Sequence, residues 1–207
     1  MSDTIVKGNK RLTSGTSEFN AQEFMIRNAI LGLVNTAIPV IVTDVDTGGS
    51  GSASGFVSVK PLVCQTDGFG EVLAPAELFQ LPYMRVQGGI AALVADPVPG
   101  DIGLAVFCKS DCSNVRQEQN TPVQPGSFRK FSMSDGFYIG GFLNKVPSVF
   151  IEVKQDQSII ITATAGVTVN APTVTVPSGD VIASGVSLVH HVHGGVQPGG
   201  GNTGQPV

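Results

Sequence analysis

The chain has 207 residues, of which 14% are charged, with a net charge of -4; an average soluble domain has about 25% charged residues. Twelve Lys and Arg and no Trp in the whole chain argue against an electrostatic grip on nucleic acid or anionic lipid. No apolar run approaches the roughly 18 residues of a membrane helix and the start lacks a signal-peptide core, so the expectation is a chain made soluble in a cytoplasm.

Enriched Val, Thr and Gly favour an all-β protein. Cys64, Cys108 and Cys112 make neither a disulfide framework nor a matched zinc pair, and buried, reduced thiols are expected. Residues 1–18 are polar, with Lys7, Lys10 and Arg11 forming a short basic arm. From about Phe19 to Val34 the pattern turns helical. Phe19, Ile26, Ile30, Leu33 and Val34 fall near one face, and Ser17 can cap the start. This predicts one amphipathic helix that packs on a sheet or on a neighbouring subunit.

Strands and turns follow to about Gln117. Pro39–Thr43 and Phe56–Lys60 are β-rich runs joined by the glycine-serine loop 48–55. That loop lacks the Gly-Lys-Ser/Thr ending and the helix of a phosphate cradle, so it reads as a hairpin tip. Tyr83–Val86, Ile90–Val94 and Ile102–Phe107 complete about five short strands. Their spacing fits a small closed barrel over 19–117, with an OB-fold as the natural candidate. Without a basic groove and interleaved aromatics, a structural OB-fold is favoured and no nucleic-acid partner is expected. Residues 118–148, punctuated by Pro and Gly, read as a connector.

From 149 to 189 the only charges are Glu152, Lys154, Asp156 and Asp180. Odd positions 159–171 are all apolar, from Ile159 to Ala171, and even positions are polar or small except Ile160. This period-two alternation predicts extended strand with one face buried, and the phase slips by one at Ala171-Pro172. A single chain offers nothing to cover that face. Three interwound copies would cover it and leave few free edges, so 149–189 reads as a trimeric β-helix. A two-sheet sandwich with the upstream domain is the alternative.

All three histidines, His190, His191 and His193, fall in one four-residue window. From Val181 onward no other side chain can carry charge. Clustered imidazoles in an apolar, glycine-rich end suggest a metal-capped tip over 190–207, against a tail with incidental histidines.

Pro99–Phe107, Phe131–Gly136 and Gly179–Leu188 with the following His-x-His and Gly195-Val196 together resemble the central spike proteins of contractile-tail phage baseplates. The resemblance is to the branch whose N-terminal OB-fold domain defines its own small family, and it covers most of the chain from about residue 20, most specifically at the apex. Family members often carry Arg-Asp after the OB strand, where this chain has Lys109-Ser110-Asp111.

The resemblance implies an all-β homotrimer with one N-terminal helix: an OB-fold domain, an intertwined trimeric β-helix, and a metal-capped tip. It implies one iron ion per trimer, held octahedrally by six histidines, His191 and His193 from each chain. Histidines at i and i+2 of an extended strand point the same way, and all-imidazole six-coordination suits Fe(II) or Ni(II) rather than tetrahedral zinc. Strand parity counted from Val186 and Leu188 nevertheless puts His190 and Val192 inward, so either the phase shifts between 188 and 191 or His190 takes part.

The function implied is mechanical and non-enzymatic. A spike at the tail baseplate tip of the virion, attached to a baseplate hub protein, would be driven through the host outer membrane, which it pierces without spanning it by a helix. A secretion or bacteriocin apparatus would use the same spike. Two rivals stand beside it. A tail-associated glycosidase or lysozyme-like enzyme would need paired carboxylates; Asp44 with Asp46, or Asp111 with Glu118, are available, in segments that read as turns without an aromatic cleft. A receptor-binding tail fibre or adhesin would need a varied polar and aromatic tip, which the glycine-rich end lacks.

Overall fold

The computed structural model describes residues 12–49, 55–67, 71–118, 121–195 and 199. The basic residues Lys7, Lys10 and Arg11, most of the 48–55 loop, and most of the chain beyond Gly195 lie outside the described residues. The protein is mostly β with one long N-terminal helix, and it divides into two compact units, 1–146 and 147–207.

In the first unit, α1 spans Glu18–Leu33. The Ser17 hydroxyl accepts from the Asn20 backbone N–H at 3.2 Å, satisfying one of the free donors of the first turn, and Glu18 complements the positive end of the helix dipole. The expected helix and cap are therefore present. Of its two expected packings, on a sheet or on a neighbouring subunit, the first is absent among the described residues: α1 buries no residue, and Phe19, Ile26 and Leu33 are 74%, 62% and 69% exposed.

The strands that follow are β1 (Ala37–Asp46), β2 (Phe56–Pro61), β3 (Gln65–Thr66), β4 (Val72–Leu73), β5 (Leu78–Pro82), β6 (Val86–Gly88), β7 (Ala91–Leu93) and β8 (Ile102–Phe107). A short helix α2 (Ser113–Gln117) and β9 (Gly136–Gly140) complete the unit. Five strands form one sheet in the order β5-β2-β1-β8-β9, with every neighbouring pair antiparallel. The sheet curls until its outer strands meet. Tyr83, just after β5, bridges Tyr138 of β9 in parallel, and the Met84 N–H donates to the Tyr138 carbonyl at 2.9 Å. Register breaks in β1 between Val42 and Asp44 and along β2 between Val57 and Val59 supply bends of the kind a curled sheet needs.

The core follows from alternation. Val40 and Val42, Val57 and Val59, Leu81 and Tyr83, Ala105 and Phe107, and Tyr138 all point inward. Gly103 faces the Tyr138 ring so closely that a Cβ there would overlap it, which is why this inward position of β8 holds glycine.

Two sequence expectations change here. The stretch 118–148 is not merely a connector, because Gly136–Gly140 is the strand that pairs with β8 and completes the sheet. Tyr83–Val86 is not one strand: Leu78–Pro82 pairs with β2, while Val86–Gly88 and Ala91–Leu93 make a separate hairpin.

In the second unit β10 (Phe150–Val153) pairs antiparallel with β11 (Ile159–Thr162), and β12 (Ile182–Ala183) with β13 (Val186–Ser187). The regular strand thus stops at Thr162 instead of running to Ala171. Between Thr162 and Ile182 the chain has no hydrogen-bonded strand partner among the described residues, and none of the described residues from Pro147 on is buried. Val167 and Val169 are 61% and 65% exposed. No helix among the described residues is long and apolar enough to cross a membrane.

Candidate metal-binding tip

The tip is built on a tight hairpin. Ala183 pairs with Val186 across Ser184 and Gly185, whose φ values of 51° and 82° are the two positive φ angles of a type I′ turn. Asp180 holds its base. The carboxylate accepts from the Val181 N–H at 2.7 Å and the Val189 N–H at 3.1 Å, while the Leu188 N–H donates to the Val181 carbonyl at 2.9 Å. A hydrogen bond from the Ser187 hydroxyl, first, and these backbone amides hold the Asp180 carboxyl below its ordinary range against partial burial.

After β13 the chain turns over Leu188–His190. The His190 N–H donates to the Ser187 hydroxyl oxygen at 2.7 Å. This turn ends the strand alternation, so parity counted from Val186 no longer applies beyond it. Past the turn His191 and His193 come together, their ring centroids 5.0 Å apart and edge to face at 78°.

His191 Nδ1 lies 2.9 Å from the Ser187 carbonyl oxygen and 3.0 Å from that of Leu188. A carbonyl only accepts, so Nδ1 carries the proton and Nε2 keeps its lone pair free. A backbone carbonyl on one ring nitrogen is the usual outer partner of a metal-ligating histidine. Metal–nitrogen bonds are about 2 Å long, so two rings this close can reach one ion, and the donor set fits a metal. Among the described residues of a single chain no three His, Cys, Asp or Glu side chains converge; one copy offers two imidazoles. Ser187 and Asp180 were not singled out from the sequence, although Asp180 is the sole carboxylate after Asp156.

The other candidate residues lie on the first unit. Asp111 is buried, with Ser127 donating at 2.7 Å, the Ser113 N–H at 2.9 Å and Arg129 paired at 2.9 Å. The Ser127 and Ser113 hydrogen bonds, and then Arg129, hold its carboxyl well below the usual carboxylate range. Arg129 also pairs with buried Asp135 at 3.2 Å. Asp111 is thus tied up in this cluster and forms no pair with Glu118. Asp44 and Asp46 sit on β1, not in a turn, and line an open cleft of about 430 Å³ with Phe56 and Phe79.

Among the thiols, Cys112 is buried and Cys108 partly so, but Cys64 is exposed, against expectation. Burial, and then the neighbouring Cys112, push the Cys108 thiol up to about 11, so it stays protonated and inert at neutral pH.

Residues 185–207 match the GpV Apex motif, the apex of the GpV-type phage central spike. The match supports a contractile-tail spike protein, and the motif is associated with a metal-binding spike tip. It also points to the virion tail as the location. No curated protein matches the chain.

Proposed function

We propose that the protein is a homotrimeric, non-enzymatic spike whose metal-capped tip is driven through the host outer membrane when a contractile phage tail fires. The observation that carries this reading is the tip. Inside the stretch matching the apex motif, a turn brings His191 and His193 together, with His191 fixed in the tautomer that leaves Nε2 free. Three copies on one axis would offer six imidazoles, the set for one octahedral iron ion. Such an ion would tie three chain ends together, so that metal affinity adds to assembly stability.

The two units support the rest. Strand order β5-β2-β1-β8-β9 with parallel closure through Tyr83 and Tyr138 favours the OB-fold reading, a ring that would attach the spike to a baseplate hub protein. The bare apolar rows of the second unit favour a β-helix of three interwound chains, because burying each Val or Ile stabilises by about 1.5–3 kcal/mol. An interwound shaft also resists unfolding kinetically, as a piercing device requires.

Native mass together with elemental analysis tests this. A trimer with one iron per three chains, the iron lost in His191→Ala/His193→Ala, is expected, and a metal-free monomer would overturn it. One observation favours an enzyme as a second reading: the Asp44–Asp46 cleft contains two aromatic rings. Carbohydrate turnover abolished by Asp44→Ala or Asp46→Ala would establish that reading in place of the spike.

A further inference from the structure

The helix α1 needs a cover. At 16 residues α1 is barely longer than the roughly 12–15 residues below which isolated helices are marginal in water, and most helical stability in proteins comes from tertiary packing of an apolar face. Yet α1 buries none of its residues, no strand among the described residues packs closely on it, and Phe19, Ile26, Ile30 and Leu33, spaced along one face, are all exposed. The link back to the sheet is pinned. The Asn35 side-chain amide donates to the Phe131 carbonyl at 2.8 Å, and the Phe107 N–H donates to the Thr36 carbonyl at 2.8 Å. With residues 35 and 36 held in this way, little free chain remains after Leu33 for the helix to fold back over its own barrel.

The same chain carries an unfilled apolar groove. A cavity of about 290 Å³ opens on the barrel surface between Ile38, Pro61, Val63, Leu73, Leu78 and Met133, and Gln65 is the one polar side chain lining it. Its neighbours Leu62, Val63 and Leu73 are exposed. An uncovered apolar helix and an unfilled apolar groove that do not meet within one copy form the two halves of a head-to-tail contact. Such contacts close into rings when the rotation permits.

We propose that α1 of each copy lies, apolar face down, in the barrel groove of the neighbouring copy, so that three helices strap the barrels into a ring. The strap rests on the homotrimer proposed above. It adds an interface separate from those of the interwound shaft and the histidine tip. The groove's chemistry selects the helix: an almost wholly apolar lining accepts Ile26 and Ile30 and offers no partner for a charged segment.

Cysteine cross-linking of the assembled full-length protein tests it. In a Cys64→Ser background, Ile26→Cys is combined with Val63→Cys, and in a second variant Ile30→Cys with Leu73→Cys, in case one pair disturbs folding. Mild oxidation is expected to give reductant-sensitive covalent dimers and trimers with either pair, and none with a single replacement. Cross-linking by Ile26→Cys alone would mean that helices pair with each other, and intrachain disulfides would mean that each helix serves its own barrel; either result overturns the strap. A trimer by native mass without cross-links from either pair overturns the strap alone. A monomer overturns the homotrimer as well.

Discussion

The Nδ1 of His191 sits 2.9 Å from the carbonyl oxygen of Ser187, and this contact separates the roles of the three histidines. It orients the His191 ring with Nε2 free, and His193 lies edge to face with it. His190 lies within the turn, its backbone N–H closing on the Ser187 hydroxyl, and the paired rings are those of His191 and His193. In the iron-capped trimer proposed above, His190→Ala is expected to keep the full complement of iron, while His191→Ala and His193→Ala each lose it. Elemental analysis of the three variants decides; iron lost from His190→Ala and kept by His193→Ala would refute the assignment.

Asp180 acts on the same site through the backbone. Its carboxylate accepts from the amides of Val181 and Val189, anchoring both legs of the hairpin that carries the histidines. Asp180→Ala should leave the imidazoles in place chemically but loosen the hairpin. For the proposed iron-capped tip, the expected outcome is several-fold faster loss of the ion to a chelator, with iron content at purification largely retained. Unchanged release kinetics would show that the hairpin holds without this anchor.

The tip and the barrel differ in how much of them is readable in sequence. Ser17 as cap, the helix after it, and the strand Ile102–Phe107 are set by local propensity and alternation, and the structure has them where the pattern puts them. Gly136–Gly140 carries only three side chains between two glycines, a weak periodic signal. It becomes a strand because β8 offers a free edge and Tyr138 fills the core, a tertiary cause invisible locally. The run Ile159–Ala171 fails in the other direction. Its alternation is strong, but strand pairing needs a partner, and between Thr162 and Ile182 none is present among the described residues. Proximity of His191 and His193 was legible as i, i+2 spacing; the turn that makes it possible depends on Ser187 and Asp180.

Burial of Tyr138 supplies a pair of contrasting predictions. A Cβ on Gly103 would overlap the Tyr138 ring, so Gly103→Ala should destabilise the barrel by about 1–3 kcal/mol through overpacking. The buried Tyr138 hydroxyl has no hydrogen-bond partner among the described residues, and burial, then Asp101, push its pKa up to about 12. Removing an unsatisfied hydroxyl recovers its desolvation cost, so Tyr138→Phe should leave stability unchanged or raise it by about 1 kcal/mol. Urea unfolding measures both. A Tyr138→Phe variant less stable than the parent would show that the hydroxyl is hydrogen-bonded in solution.

Asp111 should write an acid limb into the barrel's stability. Ser127, Ser113 and Arg129 hold its folded pKa below the unfolded value of about 3.9. A depressed folded pKa contributes stability that is complete above the unfolded pKa and is lost as pH falls through the folded one. Asp111→Asn should thus lower the melting temperature at pH 7, and the gap to the parent should narrow progressively below about pH 4. A gap that stays constant from pH 7 to pH 3 would mean that the carboxylate's charge plays no part.

The shaft offers the sharpest contrast between one chain and three. In a single chain Val167 is 61% exposed, and replacing an exposed residue away from special features changes stability by no more than about 0.5 kcal/mol. In the threefold shaft proposed above, Val167 would lie on the apolar row facing the axis, so Val167→Asp would place three carboxylates together in an apolar interior. Buried like charges without partners are among the costliest substitutions, and the trimer should not assemble. Thr168→Asp, one position along and on the opposite face, should assemble normally. Native mass and resistance to detergent read the result directly: trimers for Thr168→Asp and none for Val167→Asp are expected, and equal behaviour of the two variants would argue against a buried row.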